Sequence, residues 1–300
     1  MSKKSKVLDA SIIICTYNRK RKLRECLTSI FAVDYPKDNF EVIVVDGGSN
    51  DGTEDLLKEF PQIRFTKESR RGLASARNQG ARLARGRIVV YTDDDCIVDE
   101  KWLAQLIDGF TVSNSIAGVG GPVCPQQSEL IPSKLMVRPA LGLYDEGYKT
   151  KYVSLLITSN AAFKREIFER MEFNENLGVT RKGKLLLSGE DIEFCRAVTA
   201  SGFKILYTPF AKVYHQIGAE RVKVPYILKH AVHNGLSLTR ILLKNNKSRV
   251  WAVRYSMGRL VQSLFSAILN RSFSSCYNLV YSISGLFFCA TCADIALLGR

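Results

Sequence analysis

Short apolar runs alternate with helical periodicities through the first two-thirds of the chain, and the runs stop abruptly at polar side chains. Ser11–Cys15 reads as a buried strand ending at Thr16, Tyr17 and Asn18. Arg19–Phe31 then sets Leu23, Leu27, Ile30 and Phe31 on one face of a helix. Glu41–Val45 predicts a second strand, cut off by Asp46–Gly52, a run of turn formers. Thr53 is expected to cap a helix reaching Phe60. A third strand over Ile63–Thr66, a helix over Gly72–Arg85 and a fourth strand over Arg87–Thr92 follow. The fourth strand runs straight into Asp93, Asp94 and Asp95, and a later strand is expected at Lys204–Thr208. This alternation predicts an α/β fold whose parallel sheet is built through right-handed crossovers. In open sheets of that kind, ligands sit beyond the carboxyl ends of the strands. Thr16–Arg19, Asp46–Asp51 and Asp93–Asp95 all fall at such ends.

The last eighty residues are patterned differently. Tyr226–Leu243 and Val250–Leu269 read as helices that mix Arg and Lys with Trp251, Tyr255, Leu260, Leu264 and Phe265. Cys276–Ala293 is eighteen residues without a charge, at the short end for spanning a bilayer. Charge sharpens this contrast. The chain of 300 residues carries a net charge of +14, from 43 Lys+Arg against 29 Asp+Glu. Residues 221–300 hold eleven of those bases and one acid, Asp294, so most of the excess sits there. Basic flanks beside so much uncharged aliphatic surface fit anionic lipid headgroups and do not fit nucleic acid. Packing on the rest of the protein or on a second copy is the alternative. The expected organisation is one catalytic domain over residues 1–220 and a basic, apolar helical region over 221–300, membrane-associated or oligomerising.

Composition excludes other classes. At 46% apolar and 24% charged, the chain is neither disordered nor a disulfide miniprotein. Eight scattered cysteines suit a reducing compartment, and the basic Met1–Lys6 is followed by an apolar stretch broken at Asp9, unlike a secretory signal. A cytoplasmic protein at the cytoplasmic face of a membrane is expected. Cys289 and Cys292 form a lone CxxC, and His230 and His233 lack a third ligand, so neither pair reads as a metal site.

Three consecutive aspartates between apolar segments need a reason, because carboxylates that close repel one another where water is partly excluded. A solvated acidic turn is one answer. A divalent cation is the other: Mg²⁺ or Mn²⁺ takes oxygen ligands and is commonly shared between carboxylates and a substrate phosphate. Asp93 and Asp95, two apart on an extended segment, face the same side. Placement at a strand end opposite two other polar loops favours the cation. Arg71 and Arg77 flank the start of the Gly72 helix, where phosphate or bulk water is the partner of either. Glu190 and Asp191 follow Gly189 and open a further helical stretch.

These strings carry a resemblance. Ser11-Ile-Ile-Ile-Cys-Thr-Tyr-Asn-Arg19, Val44-Val-Asp-Gly-Gly-Ser-Asn-Asp-Gly-Thr53, Arg71-Gly-Leu-Ala-Ser-Ala-Arg-Asn78 and Thr92-Asp-Asp-Asp95 occur in order. Over roughly residues 9–217 the chain resembles the family-two inverting glycosyltransferases of the GT-A fold. The resemblance implies a nucleotide-sugar donor (UDP-, GDP- or dTDP-linked), a Mg²⁺ or Mn²⁺ ion, and transfer to a hydroxyl with inversion. It implies that Thr16, Tyr17, Arg19 and Asp94 line the nucleotide and that Asp46 accepts from the base edge or ribose, a loop cap being the alternative for Asp46. Asp95 would contact the metal, Asp93 the ribose or a metal-bound water, and His215 the metal or diphosphate. Asp191 would be the general base, with Glu190 the alternative, and Asn160–Phe163 would lie by the sugar and acceptor. Gly47 stands where the family commonly has a second acid, and Met171–Gly178 fits the family pattern loosely. With the helical region suggesting membrane proximity, the expected acceptor is a lipid-linked or envelope saccharide. The rival is a non-catalytic nucleotide-sugar-binding scaffold.

Overall fold

The computed structural model describes residues 7–68, 72–133, 136–177, 188–244, 254–260, 262–263 and 273–291. The predicted start of the chain is observed closely: β1 (Ala10–Thr16), α1 (Lys20–Ala32), β2 (Phe40–Asp46), α2 (Thr53–Lys58), β3 (Ile63–Lys67), α3 (Leu73–Leu83) and β4 (Ile88–Asp93). Then come β5 (Cys96–Val98), α4 (Trp102–Gly109), β6 (Ile116–Gly120), β7 (Val123–Pro125), β8 (Lys151–Val153) and β9 (Asn160–Lys164). The chain continues through α5 (Glu190–Ala200), β10 (Lys204–Tyr207), β11 (Val213–His215), α6 (Val224–Lys244) and α7 (Phe273–Thr291).

Eight strands form one sheet in the order β3-β2-β1-β4-β9-β6-β10-β8. The first four pair in parallel, as the alternation predicts. The rest corrects the all-parallel expectation, because β9 runs antiparallel to both β4 and β6, and β8 antiparallel to β10. Strand pleating sends Ile12 and Ile14 to one face and Ile13 to the other. On the first face they pack with Leu23 and Leu27 of α1, Leu56 of α2 and Trp102 of α4. On the second they meet Ala74 and Ala81 of α3 and Phe194 and Val198 of α5. Each such side chain taken out of water contributes roughly 1.5–3 kcal/mol before chain entropy is set against it.

Local chemistry departs from expectation at α2. α2 starts after Gly52 at φ +83°, and the expected Thr53 cap is replaced by Asp51, whose carboxylate accepts from the Thr53 N–H and hydroxyl and from the Lys20 N–H. The stretch from Arg165 forms a short 3-10 turn (Arg165–Glu169).

A second, three-stranded sheet, β5-β11-β7, does the work that matters for the site. β11 pairs antiparallel with β5, putting His215 opposite Cys96, and the Gln216 N–H donates to the Asp95 carbonyl at 2.8 Å. The residue after β11 is thereby locked to the last aspartate of the turn from more than a hundred positions away. α6 and α7 pack on each other and on Val137 and Ala140 through Ile227, Ala231 and Tyr277. Residues 254–260 are helical, and the remainder of the expected Val250–Leu269 helix lies outside the described residues. Among the described residues, no helix is long and apolar enough to cross a membrane.

Candidate active site

A cavity of about 470 Å³ opens where β1, β4 and β11 end and α3 and α5 begin. Its lining includes Thr16, Tyr17, Arg19, Gly47, Arg77, Asp93, Asp94, Asp95, Thr158, Glu190, Asp191 and His215. Side chains expected together from four separate motifs therefore share one concavity. Tyr17, 44% exposed, offers its ring at the mouth. Arg71 lies outside the described residues.

Asp94 and Asp95 are almost wholly buried, at 3% and 2% exposure. The Thr16 hydroxyl donates to Asp94 Oδ2 and Arg19 to Asp94 Oδ1, each at 2.8 Å. Thr16 and Arg19, expected to meet the nucleotide directly, are thus committed to the aspartate turn. Burial nonetheless pushes Asp94 up to about 6, against the pull of Arg19 and with Asp95 adding to the rise. Asp95 goes the other way. Burial disfavours its charge too, but Arg19 at 3.1 Å and Arg221 at 3.6 Å outweigh that and hold it below the usual carboxylate range. Lys22 stands 3.7 Å from the same oxygen.

Arg77 is the hub of the opposite wall. It is 4% exposed and reaches Glu190 Oε1 at 2.9 Å, Asp191 Oδ1 at 3.4 Å and Asp93 Oδ1 at 3.6 Å. Its planar cation also faces the Phe173 ring at 5.8 Å. Of the two partners left open for Arg77, phosphate and water, the structure shows neither: three carboxylates surround it. Gly189, at φ +106°, turns the chain in a conformation that disfavours any side chain, and so presents Glu190 and Asp191 at the first turn of α5. Asp191 Oδ1 accepts from the Thr158 hydroxyl at 2.8 Å and Oδ2 from the Thr158 N–H at 3.3 Å. Burial lifts the Asp191 carboxyl to about 7; Arg77 opposes that rise and Glu190 adds to it.

Two expected residues are placed elsewhere. Asp46 is buried and does not line the cavity; both its oxygens accept from the Ser49 N–H at 3.0 Å, and Oδ1 also from the Ser49 hydroxyl. Its carboxylate ties down its own loop, and the neighbouring Gly47 faces the cavity instead. Asn160 is spent in the scaffold, donating to the Pro122 and Ala211 carbonyls and accepting from the Trp102 indole N–H. Ile157, Thr158 and Ser159, just before the expected stretch, are the residues at the cavity wall.

The sequence reading missed Lys22, Thr158, Arg221 and His230. Lys22 had a signal, being one helical turn beyond Arg19 and so on its face. Arg221 and His230 lie beyond the expected boundary at 220, yet both line the cavity, so the helical region forms part of the site and is not separate from it. The Ser188 N–H also donates to Ser237 Oγ, and the Ser188 hydroxyl to Asn234 Oδ1, bonding α6 to the approach of α5.

Among the described residues no cluster of three or more His, Cys, Asp or Glu side chains forms a metal site. Asp95 and His215 do make a fitting pair of donors. The His215 Nδ1–H donates to the Leu141 carbonyl at 2.8 Å, so Nε2 carries the lone pair; it accepts from Arg221 at 3.2 Å and stands 3.3 Å from Asp95 Oδ2. Arg221, 3.2 Å from Nε2 and 3.6 Å from Asp95 Oδ2, supplies the positive charge beside these two acceptors, where a cation would also be drawn. A carboxylate and an imidazole, completed by waters and substrate phosphate, suit Mn²⁺ or Mg²⁺.

A mixed sheet with an acidic cavity at its strand ends matches the GT-A fold. The family model described as Glycosyl transferase family 2 matches residues 11–171, and the chain belongs to that family. It is 26% identical over 203 residues to glycosyltransferase AglE of Haloferax volcanii, covering 66% of this chain and 63% of AglE. A glucosyl-dolichyl phosphate glucuronosyltransferase of the same organism is 24% identical over 242 residues, covering 77% of this chain and 76% of the relative. The chain thus spans just under two-thirds of AglE and about three-quarters of the second relative. Among solved structures, a mannosyltransferase from Pyrobaculum calidifontis, in complex with GDP-Man and Mn²⁺, superposes with a TM-score of 0.65 at 19% identity, covering 94% of this chain and 88% of that one.

Proposed function

We propose that the protein transfers a sugar from a nucleoside diphosphate donor to a saccharide hydroxyl with inversion, and that Asp191 is the general base. One observation carries this reading: Arg77 gathers the acid ending β4 and the Glu190–Asp191 pair into the same cavity as the Asp94–Asp95 turn. Asp191 has the proton affinity the task needs, since a base titrating near the working pH is ionised often enough and still draws a proton strongly. Thr158 and Arg77 aim its carboxylate, while Arg77 draws Glu190 Oε1 to 2.9 Å. Asp191 takes the acceptor proton as that oxygen attacks the anomeric carbon opposite the leaving diphosphate. Arg19, Lys22 and Arg221 lie beside Asp95, where the departing diphosphate meets positive charge.

Asp95 and His215 would hold a divalent cation. Bound there, such an ion neutralises charge on the leaving group. Mn²⁺ with GDP-Man in the Pyrobaculum neighbour supports this choice. A lipid-linked acceptor is supported by the dolichyl phosphate named for the Haloferax relative and by the basic excess of residues 221–300. The same excess supports work at the cytoplasmic face of an anionic membrane.

The test pairs binding with turnover. A panel of UDP-, GDP- and dTDP-sugars with MnCl₂ should contain one that raises the melting temperature of the wild type. Asp191→Asn should keep that stabilisation while transfer falls ~10²–10⁴-fold. Retained transfer in Asp191→Asn excludes it as the base, and stabilisation without any transfer by the wild type favours the scaffold.

A further inference from the structure

Where α6 passes the cavity it presents His230, a residue the reaction above leaves unused. Asn234 Nδ2 stands 3.3 Å from His230 Nδ1, and the Tyr277 hydroxyl 3.0 Å. An amide nitrogen can only donate, so Nδ1 is an acceptor and the ring proton sits on Nε2. Burial, with Arg221 and His233 adding to it, presses this imidazole down to about 4, so the ring is neutral under ordinary conditions. Among the described residues no protein group bonds Nε2. The N–H edge of the ring is therefore the part left to a molecule in the cavity.

The support of this ring also fixes which end of the reaction it serves. Asn234, which donates to the imidazole, accepts from the Ser188 hydroxyl at 2.7 Å. Ser188 lies three residues before Asp191, and its N–H is held by Ser237 of α6. His230 is thus bonded into the approach to the helix that bears the base, whereas Tyr17 and Gly47 belong to the loops after β1 and β2. The base works on the acceptor. A neutral N–H supplies direction without charge, which matches a hydroxyl oxygen better than a phosphate.

Resting on the reading of Asp191 as base, we propose that His230 is an acceptor-binding residue. Its Nε2–H hydrogen-bonds a hydroxyl oxygen of the acceptor saccharide, and Tyr277 and Asn234 are the positioning residues that keep the proton on that nitrogen. The recognition of the acceptor is therefore shared with α7, through Tyr277.

Steady-state kinetics tests this. The donor is the nucleotide-sugar found by thermal stabilisation, and the acceptors are the n-octyl glycosides of glucose, mannose and N-acetylglucosamine. His230→Phe keeps a ring and removes the donor, and His230→Gln restores an N–H near the Nε2 position. His230→Phe should raise KM for the glycoside about two- to tenfold, the loss of one neutral hydrogen bond. KM for the nucleotide-sugar should stay within about twofold. His230→Gln should recover most of the loss, and Tyr277→Phe should move the same constant by less. Should His230→Phe melt early, the His230→Gln and Tyr277→Phe pair carries the same comparison in folded protein. An unchanged glycoside KM, or a rise confined to the nucleotide-sugar, overturns the assignment while leaving Asp191 as base. A wild type that transfers to none of the glycosides contradicts the base assignment and takes this inference down with it.

Discussion

Asp95 and Asp191 line the same cavity, the first wholly buried and the second partly so, yet the protein treats their charges in opposite ways. Arg19, Lys22 and Arg221 all lie within 3.7 Å of Asp95 Oδ2, and the carboxyl is driven to stay ionised. Asp191 has a single guanidinium, and that guanidinium also answers to Glu190 and Asp93. With one cation divided among three acids, burial wins and the carboxyl rises to about 7. The difference between the two aspartates follows from how many cations each commands and not from residue type, and depth runs the other way, since Asp191 is the less buried. It separates a permanently charged anchor from a group able to accept a proton at neutral pH.

The strongest way to break this contrast is to remove the shared cation. Arg77→Met leaves Asp93, Glu190 and Asp191 without their common partner in a buried site. We expect a loss of about 3–5 kcal/mol in urea unfolding, since stranding buried charge costs more than the pair contributes. A variant within about 0.5 kcal/mol of the wild type, the range of an ordinary surface substitution, would mean that these acids reach water in its absence.

A gentler change sharpens the contrast. Thr158→Val removes a hydroxyl that bonds the charged form of Asp191 at 2.8 Å. In the wild type the base form appears as pH rises through about 7, so kcat/KM should fall below that point and level off above it. The valine variant should move the acid limb to higher pH, with a drop of about two- to tenfold at neutrality that closes at alkaline pH. An identical limb in both proteins would show that Thr158 acts only as scaffold.

The contrast was only half legible in the chain. The strands carrying Thr16, Asp93 and Asp95 announce themselves, because apolar runs such as Ile88–Tyr91 end abruptly in acids, and periodicity alone puts them at one sheet end. Asp46 had a readable warning in Ser49, three residues on, the spacing at which an aspartate side chain closes its own turn. The antiparallel β9 was not readable, being a five-residue strand buried between two others, which short-range pattern does not orient. Arg77 looks from sequence like any helix arginine until α5 brings Glu190 across 113 positions. Arg221 and His230, beyond residue 220, were equally unreadable as site residues, because they reach the cavity through β11 and through Tyr277 on α7.

The claim at the centre of this account is the proton affinity of Asp191, and it can be read without substrate. Aspartate side chains labelled with ¹³C at the carboxyl carbon, assigned by comparing the wild type with Asp191→Asn, report each titration by NMR. The Asp191 resonance should shift with a midpoint near 7, well above the ordinary range of about 4. A midpoint at or below 4 would show a permanently ionised carboxylate, paired like Asp95, and would contradict its role as the base.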